Sequence, residues 1–275
     1  MTGANLTTVW NDGDAYERFM GRWSRLAGKN FLEWLALPKH LRWLDVGCGT
    51  GAFTEVLQQT CAAVEIVAID TAGAHVAQAQ SRVKGQNVRF EVGDACSISF
   101  EDGGFDVAVS ALVLNFIPDQ EKAVAEMRRV VRPGGTIAAY VWDFAGGRGT
   151  SQHLHSAIKE IEGSDTKGAL NADSTAQEKL KALFDSVGLT DVVTRAIEIP
   201  VAYRDFDDYW DSNTGFTSPV GNFVKGLSDD RRLRLRQLVR TRVPADTNGA
   251  ILYTAQVNAV RGTRERLQAQ GGYRL

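Results

Sequence analysis

The sequence predicts an α/β fold, a mostly parallel sheet covered on both faces by helices. Three observations carry this expectation. Short apolar runs alternate with helix-compatible stretches between residues 41 and 141. The first run meets the turn Gly47-Cys48-Gly49-Thr50-Gly51, and two later runs end on Asp70 and on Gly93-Asp94. Repeated strand–helix units imply parallel neighbours, because a right-handed crossover lays each helix back on the sheet.

In the N-terminal segment Tyr16, Phe19, Met20, Trp23, Ala27, Phe31, Trp34 and Leu35 recur at spacings of three and four, the pattern of an amphipathic helix. Asp12 or Asp14 is placed to cap it and Pro38 to end it. A strand follows at 41–46, then the glycine turn and a helix at 52–59. The alternation continues with a strand at 65–69, a helix at 73–83 and a strand at 88–92. A strand at 105–110, a helix at 120–131, the turn Arg132-Pro133-Gly134-Gly135 and a strand at 136–141 complete the regular part. Beyond Asp143 the rhythm changes. A polar insertion with one helix near 152–161 precedes a helix at 176–187 and a strand at 192–199, a mainly helical insertion covers 206–243, and 251–260 supplies a last strand. The organisation expected is a helical lid at 1–40, a single domain at 41–262 with insertions at about 144–174 and 203–247, and a tail at 263–275.

Composition narrows the function classes. The chain has 275 residues, 44% of them hydrophobic, and a formal net charge of −2 spread along its length. That balance argues against a surface built on bulk charge for nucleic acid or anionic membrane. Cys48, Cys61 and Cys96 are odd in number and lack a Cys-x-x-Cys pair, so reduced thiols are expected, with no disulfide framework and no metal. Asp12, Asp14, Glu17, Arg18, Arg22 and Arg25 interrupt the first thirty residues, and the apolar stretch 107–118 is too short to cross a bilayer. A cytoplasmic monomer or homodimer is expected.

Three close glycines after a buried strand let the backbone turn sharply and approach a ligand, while the next helix offers unpaired amides. Asp70, nineteen residues after Gly51, stands where a carboxylate can take both ribose hydroxyls of an adenosine-containing ligand. Taken alone, the loop also satisfies the dinucleotide fingerprint G-x-G-x-x-G/A. Each acid has a plainer role open to it: Asp45 can brace the turn, Asp70 can cap the following helix, and Asp94 can be a turn residue.

Asp45-Val46-Gly47-Cys48-Gly49-Thr50-Gly51 together with Asp70, Gly93-Asp94-Ala95 and Arg132-Pro133-Gly134-Gly135 resembles the class I S-adenosylmethionine-dependent methyltransferases, in particular the small-molecule branch that includes ubiquinone-biosynthesis-type enzymes. The resemblance is close over about 41–143. It implies a Rossmann-like sheet of seven mostly parallel strands with the last, at 251–260, antiparallel. It also implies S-adenosylmethionine as cofactor and S-adenosylhomocysteine as product. Carried onto this chain, Gly47, Cys48, Gly49 and Gly51 form the loop against the methionine and ribose portions. Asp45 orients that loop or meets the methionine amino group, Asp70 holds the ribose, and Asp94 with the Ala95 amide reads the adenine edge. A cofactor with a sulfonium and an ammonium, and without a pyrophosphate, explains the choice of acids. The lid would bring Tyr16 and Arg22, with Met20 or Trp23, near the methionine end, whereas Phe19, Phe31 and Trp34 read as packing.

The sequence departs from the family after the fourth strand. Where many members carry histidine, this chain has Leu112-Val113-Leu114-Asn115-Phe116, so Asn115 either faces substrate or caps the next turn. Methyl transfer from a sulfonium is an in-line displacement with a neutral leaving group. Alignment alone contributes about 7 to 11 kcal/mol in near-attack geometry, and a base is needed only for acceptors that must lose a proton early. The catalytic candidates are therefore Asn115, Asp143 and His153, none of them required. Trp142 and Asp143 end the fifth strand at the ligand-binding edge and are the better candidates for contact with the substrate. Tyr209 and Trp210 either line an acceptor pocket or pack the second insertion down. His153 and His155 point to different sides of a helix, and a solvated histidine is the plainer reading of each. Arg231, Arg232, Arg234, Arg236, Arg240 and Arg242 share one helix whose Leu235 and Val239 give it an apolar side, so a solvated face is preferred to an RNA site. The activity expected is methyl transfer to a small organic acceptor, with a NAD(P)-dependent oxidoreductase and a non-catalytic S-adenosylmethionine-binding protein as alternatives.

Overall fold

A computed structural model of the chain describes residues 22–162, 172–215 and 219–266. Seven strands form one sheet in the order β3-β2-β1-β4-β5-β7-β6. The first five, β1 (Arg42–Val46), β2 (Glu65–Asp70), β3 (Val88–Val92), β4 (Phe105–Ala111) and β5 (Val131–Trp142), pair in parallel. Strand β7 (Ile251–Arg264) runs antiparallel between β5 and β6 (Leu189–Tyr203). The sheet is thus mostly parallel with the last strand reversed. Its surroundings are α1 (Arg22–Leu35), α2 (Ala52–Thr60), α3 (Gly73–Arg82), α4 (Gln120–Val130), α5 (Gln152–Glu162), α6 (Gln177–Ser186), α7 (Phe206–Thr214), α8 (Pro219–Gly226) and α9 (Asp229–Arg242).

The strands read as near-continuous apolar runs because both faces are covered. Alternate side chains divide between two cores. Trp43, Val107, Val109, Tyr140 and Trp142 face α1, α2 and the insertion helices. Leu44, Val46, Ala108, Ile137, Ala139 and Val141 face α4 and α6. Helix α1 inserts Trp23, Ala27, Phe31 and Leu35 into the first core, one residue per turn and each buried.

Three strands outrun their expected limits. Strand β5 begins at Val131 and absorbs the Arg132-Pro133-Gly134-Gly135 turn, with a register shift against β4 between Phe105 and Val107. Strands β6 and β7 extend to fifteen and fourteen residues because they pair with each other over nearly their whole length. The expected tail at 263–275 consequently starts inside β7, where Arg264 donates to the carbonyls of Arg129 and Val131 at 2.6 and 2.7 Å. Residues 206–243 hold α7, α8 and α9. Among the described residues, no helix is long and apolar enough to cross a membrane.

Candidate active site

At the carboxyl ends of β1, β2, β3 and β4 lies a cavity of about 430 Å³. Ligands of open α/β sheets bind at this edge because strand ends and helix N-termini converge there. Gly47, Gly49 and Gly51 have φ of 80°, 52° and 84°, a backbone region that costs glycine nothing. A side chain at Gly47 would collide with Val113, whereas one at Gly49 would meet nothing within 4 Å. The first glycine is thus required by packing and the second leaves backbone open to the cavity. The Gly47 and Cys48 amides donate to the Ile69 carbonyl at 2.8 and 2.9 Å, tying the turn to β2.

The acids differ in environment. Asp45 is fully buried; its Oδ2 accepts from the Thr54 hydroxyl at 2.6 Å, while its Oδ1 has no hydrogen-bond partner among the described residues. Burial pushes its pKa up to about 7, the Thr54 bond opposes this, and the Asp70 charge adds to it. Asp70 bridges two elements, accepting from the Gly49 amide with Oδ2 and from the Ala72 amide with Oδ1, both at 2.9 Å. Burial acts to raise its pKa, but hydrogen bonds from His75, Ala72 and Gly49 and the His75 charge leave it below the ordinary carboxylate range. Asp94 is exposed on the rim and accepts from the Cys96 amide at 2.8 Å. The Cys48 thiol also lines the cavity, but burial and the Asp45 and Asp70 charges push its pKa well up, which makes it a poor nucleophile.

Asp45, Gly47, Cys48, Gly49, Asp70, Asp94 and Ala95 therefore come together around one cavity. Gly51 lies behind it, accepting the Glu55 amide at 2.9 Å as α2 begins. Arg22 is the first residue of α1, and Tyr16 lies outside the described residues.

The acceptor-side expectations fare differently. Trp142 is buried in the core and does not line the cavity, and Asp143 is consumed by bracing, with Oδ1 accepting from the Gly146 amide at 2.8 Å and Oδ2 from Gln256 at 3.2 Å. Tyr209 and Trp210, expected as substrate residues, instead pack the insertion down and do not line the cavity. The Tyr209 ring stands 5.0 Å from Tyr203, its hydroxyl accepts from the Leu154 amide at 3.1 Å, and Trp210 stacks on Phe206 at 6.2 Å. Asn115 is buried and does not line the cavity, although Val113 and Phe116 on either side do. His153 stands edge-on to Tyr253 at 4.8 Å, and burial and the Arg242 charge lower its pKa. His153 and His155 are both half-buried, and burial pushes the His155 pKa down to about 4. The arginine helix α9 spends its charge on neighbours: Arg236 pairs with Asp207 at 2.8 Å, and Arg240 lies 4.4 Å from the Phe206 ring centre.

Several cavity residues carried no sequence signal strong enough to single them out. Ser24, Phe53, His75, Leu112, Asp119 and Tyr140 all line it. Period-two alternation in β5 does put Tyr140 and Trp142 on one face, but of the two only Tyr140 lines the cavity. Leu112 adopts φ of 60°, which a bulky side chain rarely does, and its amide donates to the Tyr140 carbonyl at 2.8 Å. No residue type announces such a turn.

Comparison with known proteins gives a consistent outcome. A family profile described as a methyltransferase domain matches residues 44–139. The demethylmenaquinone methyltransferase of Thermus thermophilus is 35% identical over 118 residues, 42% of this chain and 52% of that protein. The matched segment thus spans about half the length of that relative. The trans-aconitate 2-methyltransferase of Deinococcus radiodurans is 26% identical over 255 residues, 90% of this chain and 95% of the other. Among solved structures, phosphoethanolamine N-methyltransferase 2 of Haemonchus contortus shares the fold, with a TM-score of 0.58 at 18% identity, covering 92% of this chain and 57% of that one.

Proposed function

We propose, from its similarity to the class I S-adenosylmethionine-dependent methyltransferases, that this chain binds S-adenosylmethionine in the cavity at β1–β4 and transfers its methyl group to a small organic acceptor. The observation that carries this reading is Asp45 Oδ1, a buried carboxyl oxygen on the wall of that cavity with no hydrogen-bond partner among the described residues. An unpaired buried carboxylate is costly, and a ligand ammonium placed there would satisfy it.

The residues present fit the group. Gly47, Cys48 and Gly49 offer close backbone, with Gly51 shaping the loop from behind; Asp70, preordered by two amides, is held ready for a ribose; and Asp94 with the Ala95 amide faces the outer end, suited to an adenine edge. Tyr16 and Arg22 are assigned to the methionine end. When bound, the cofactor supplies an electrophilic methyl group on a sulfonium. The chain's own work is to fix that group in line with an acceptor and to exclude water, which Phe53, Leu112 and Tyr140 do on the far wall. No side chain is required as a base for this step. The reading takes 41–262 as the catalytic unit, preceded by the helical segment 1–40, and a cytoplasmic setting is supported by three free thiols.

The relatives support the reading within limits. The Haemonchus enzyme was solved in complex with S-adenosyl-L-methionine, and the Deinococcus relative is named for a small-molecule acceptor. The oxidoreductase alternative is less favoured, since no lysine or arginine lines the described cavity to meet a pyrophosphate. Calorimetric titration separates the readings: S-adenosylmethionine and S-adenosylhomocysteine bind and NADH does not, and the converse result sinks the proposal. Transfer of labelled methyl to any acceptor then rules out a purely cofactor-sensing protein.

A further inference from the structure

The cavity has two chemically distinct walls. Asp45, Asp70 and Asp94 stand on the wall built by β1–β3, and Asp119 sits on the rim, where its carboxylate accepts the Lys122 amide at 3.0 Å and caps α4. The opposite wall is Ser24 from α1, Phe53 from α2, Ala111 at the end of β4, Leu112 and Phe116 beyond it, and Tyr140 from β5. It bears no charge. Across the whole described lining there are four aspartates, one histidine, and neither lysine nor arginine.

A cofactor read by Asp94, Asp70 and Asp45 runs from β3 over β2 to β1, which turns its reacting end toward the uncharged wall. From this juxtaposition we infer that the methyl acceptor is an uncharged molecule with an apolar body, and that carboxylate acceptors are excluded. This inference rests on the methyltransferase reading and adds the acceptor's class to it. The physical reason is twofold. A carboxylate entering between Phe53, Leu112 and Tyr140 would leave water without gaining a cation. It would also enter a described lining whose ionisable side chains are four aspartates and one histidine, and like charges raise each other's cost. The nearby cations are engaged elsewhere: Arg25 and Arg82 both contact Glu55, at 3.0 and 3.4 Å, outside the lining. The Deinococcus relative is named for trans-aconitate, a carboxylate, so the inference separates this chain from it on substrate charge.

The test uses two probes of one shape, 2-naphthol and 2-naphthoate, titrated by fluorescence into the full chain loaded with S-adenosylhomocysteine at neutral pH. Naphthol is expected to bind about thirtyfold or more tightly than naphthoate, the discrimination typical of a buried charge left unpaired. Equal or tighter binding of naphthoate overturns the inference, as does failure of naphthol to bind at millimolar concentration. Phe116→Lys puts an ammonium in the uncharged wall and is expected to erase or invert the preference; an unchanged preference overturns the inference as well. Failure of the unmodified chain to bind S-adenosylhomocysteine is a different result, because it removes the methyltransferase reading itself.

Discussion

The two ends of the sheet solve different problems. Strands β1, β2 and β3 are five or six residues long, parallel, and stop together at one edge, each followed by a glycine or an aspartate that reaches the cavity. Strands β5, β7 and β6 are twelve to fifteen residues long and form an antiparallel ribbon that runs on past that edge. Short parallel strands leave their last residues at a rim where loops and helix N-termini converge. A long ribbon instead presents alternate apolar side chains to whatever helices cover it. Residues that resemble pocket lining at the ribbon end, Trp142, Tyr209 and Trp210, are therefore core alone, whereas the unassuming Leu112 and Tyr140 belong to the same core and also line the cavity.

Substitutions can break this contrast, and the largest effect is expected at the ribbon end. Trp210→Ala removes a buried aromatic and should cost about 3 to 5 kcal/mol in urea unfolding, with S-adenosylmethionine affinity unchanged in the folded protein. A large loss of affinity would return Trp210 to the site. Next comes Asp45. Its folded pKa of about 7 lies above the ordinary aspartate value of 3.8, so the fold holds a proton that the unfolded chain releases. Stability of the ligand-free chain should fall as pH rises from about 4 to about 7 and level off above, by an amount on the order of 2 to 4 kcal/mol that Asp45→Asn abolishes. A pH-independent midpoint in the parent chain would show that Asp45 is not held protonated.

Asp70→Ala should weaken S-adenosylmethionine binding tenfold to a hundredfold, the loss of a charge-assisted bond of about 1.5 to 3 kcal/mol. Calorimetry decides this, and unchanged affinity would reduce Asp70 to a loop brace. Gly47→Ala forces a methyl group against Val113 at positive φ, so a stability loss of about 1 to 3 kcal/mol is expected together with weaker cofactor binding. The smallest effect belongs to α9. Arg236→Gln removes an exposed pair with Asp207 and should change stability by only about 0.2 to 1 kcal/mol, with no change in cofactor binding.

The cofactor half of the site was legible because its requirements are local. A sharp turn needs glycine, and a polar ligand edge needs acids at strand ends; both leave residues at fixed spacing. Even there the detail came from contacts: Asp70 crosses to the Gly49 amide, and the Asp45–Thr54 bond joins β1 to α2. The acceptor half was not legible because apolar lining and apolar core use the same residue types. Tyr140 and Trp142 share a face of β5, and Tyr209 could have served a pocket as well as it serves its bond to the Leu154 amide.

By itself the amino-acid order determined the parallel strand–helix succession, the glycine turn and the positions of Asp45, Asp70 and Asp94, since each follows from backbone sterics or from periodicity within a few residues. Tertiary structure alone decided how far β6 and β7 extend, which aromatic residues are core, and that an uncharged wall faces an acidic one across the cavity. Those outcomes depend on burial by elements up to about 200 residues apart, as when α1 and β6 pack together, and no local pattern encodes which partner covers a given apolar face.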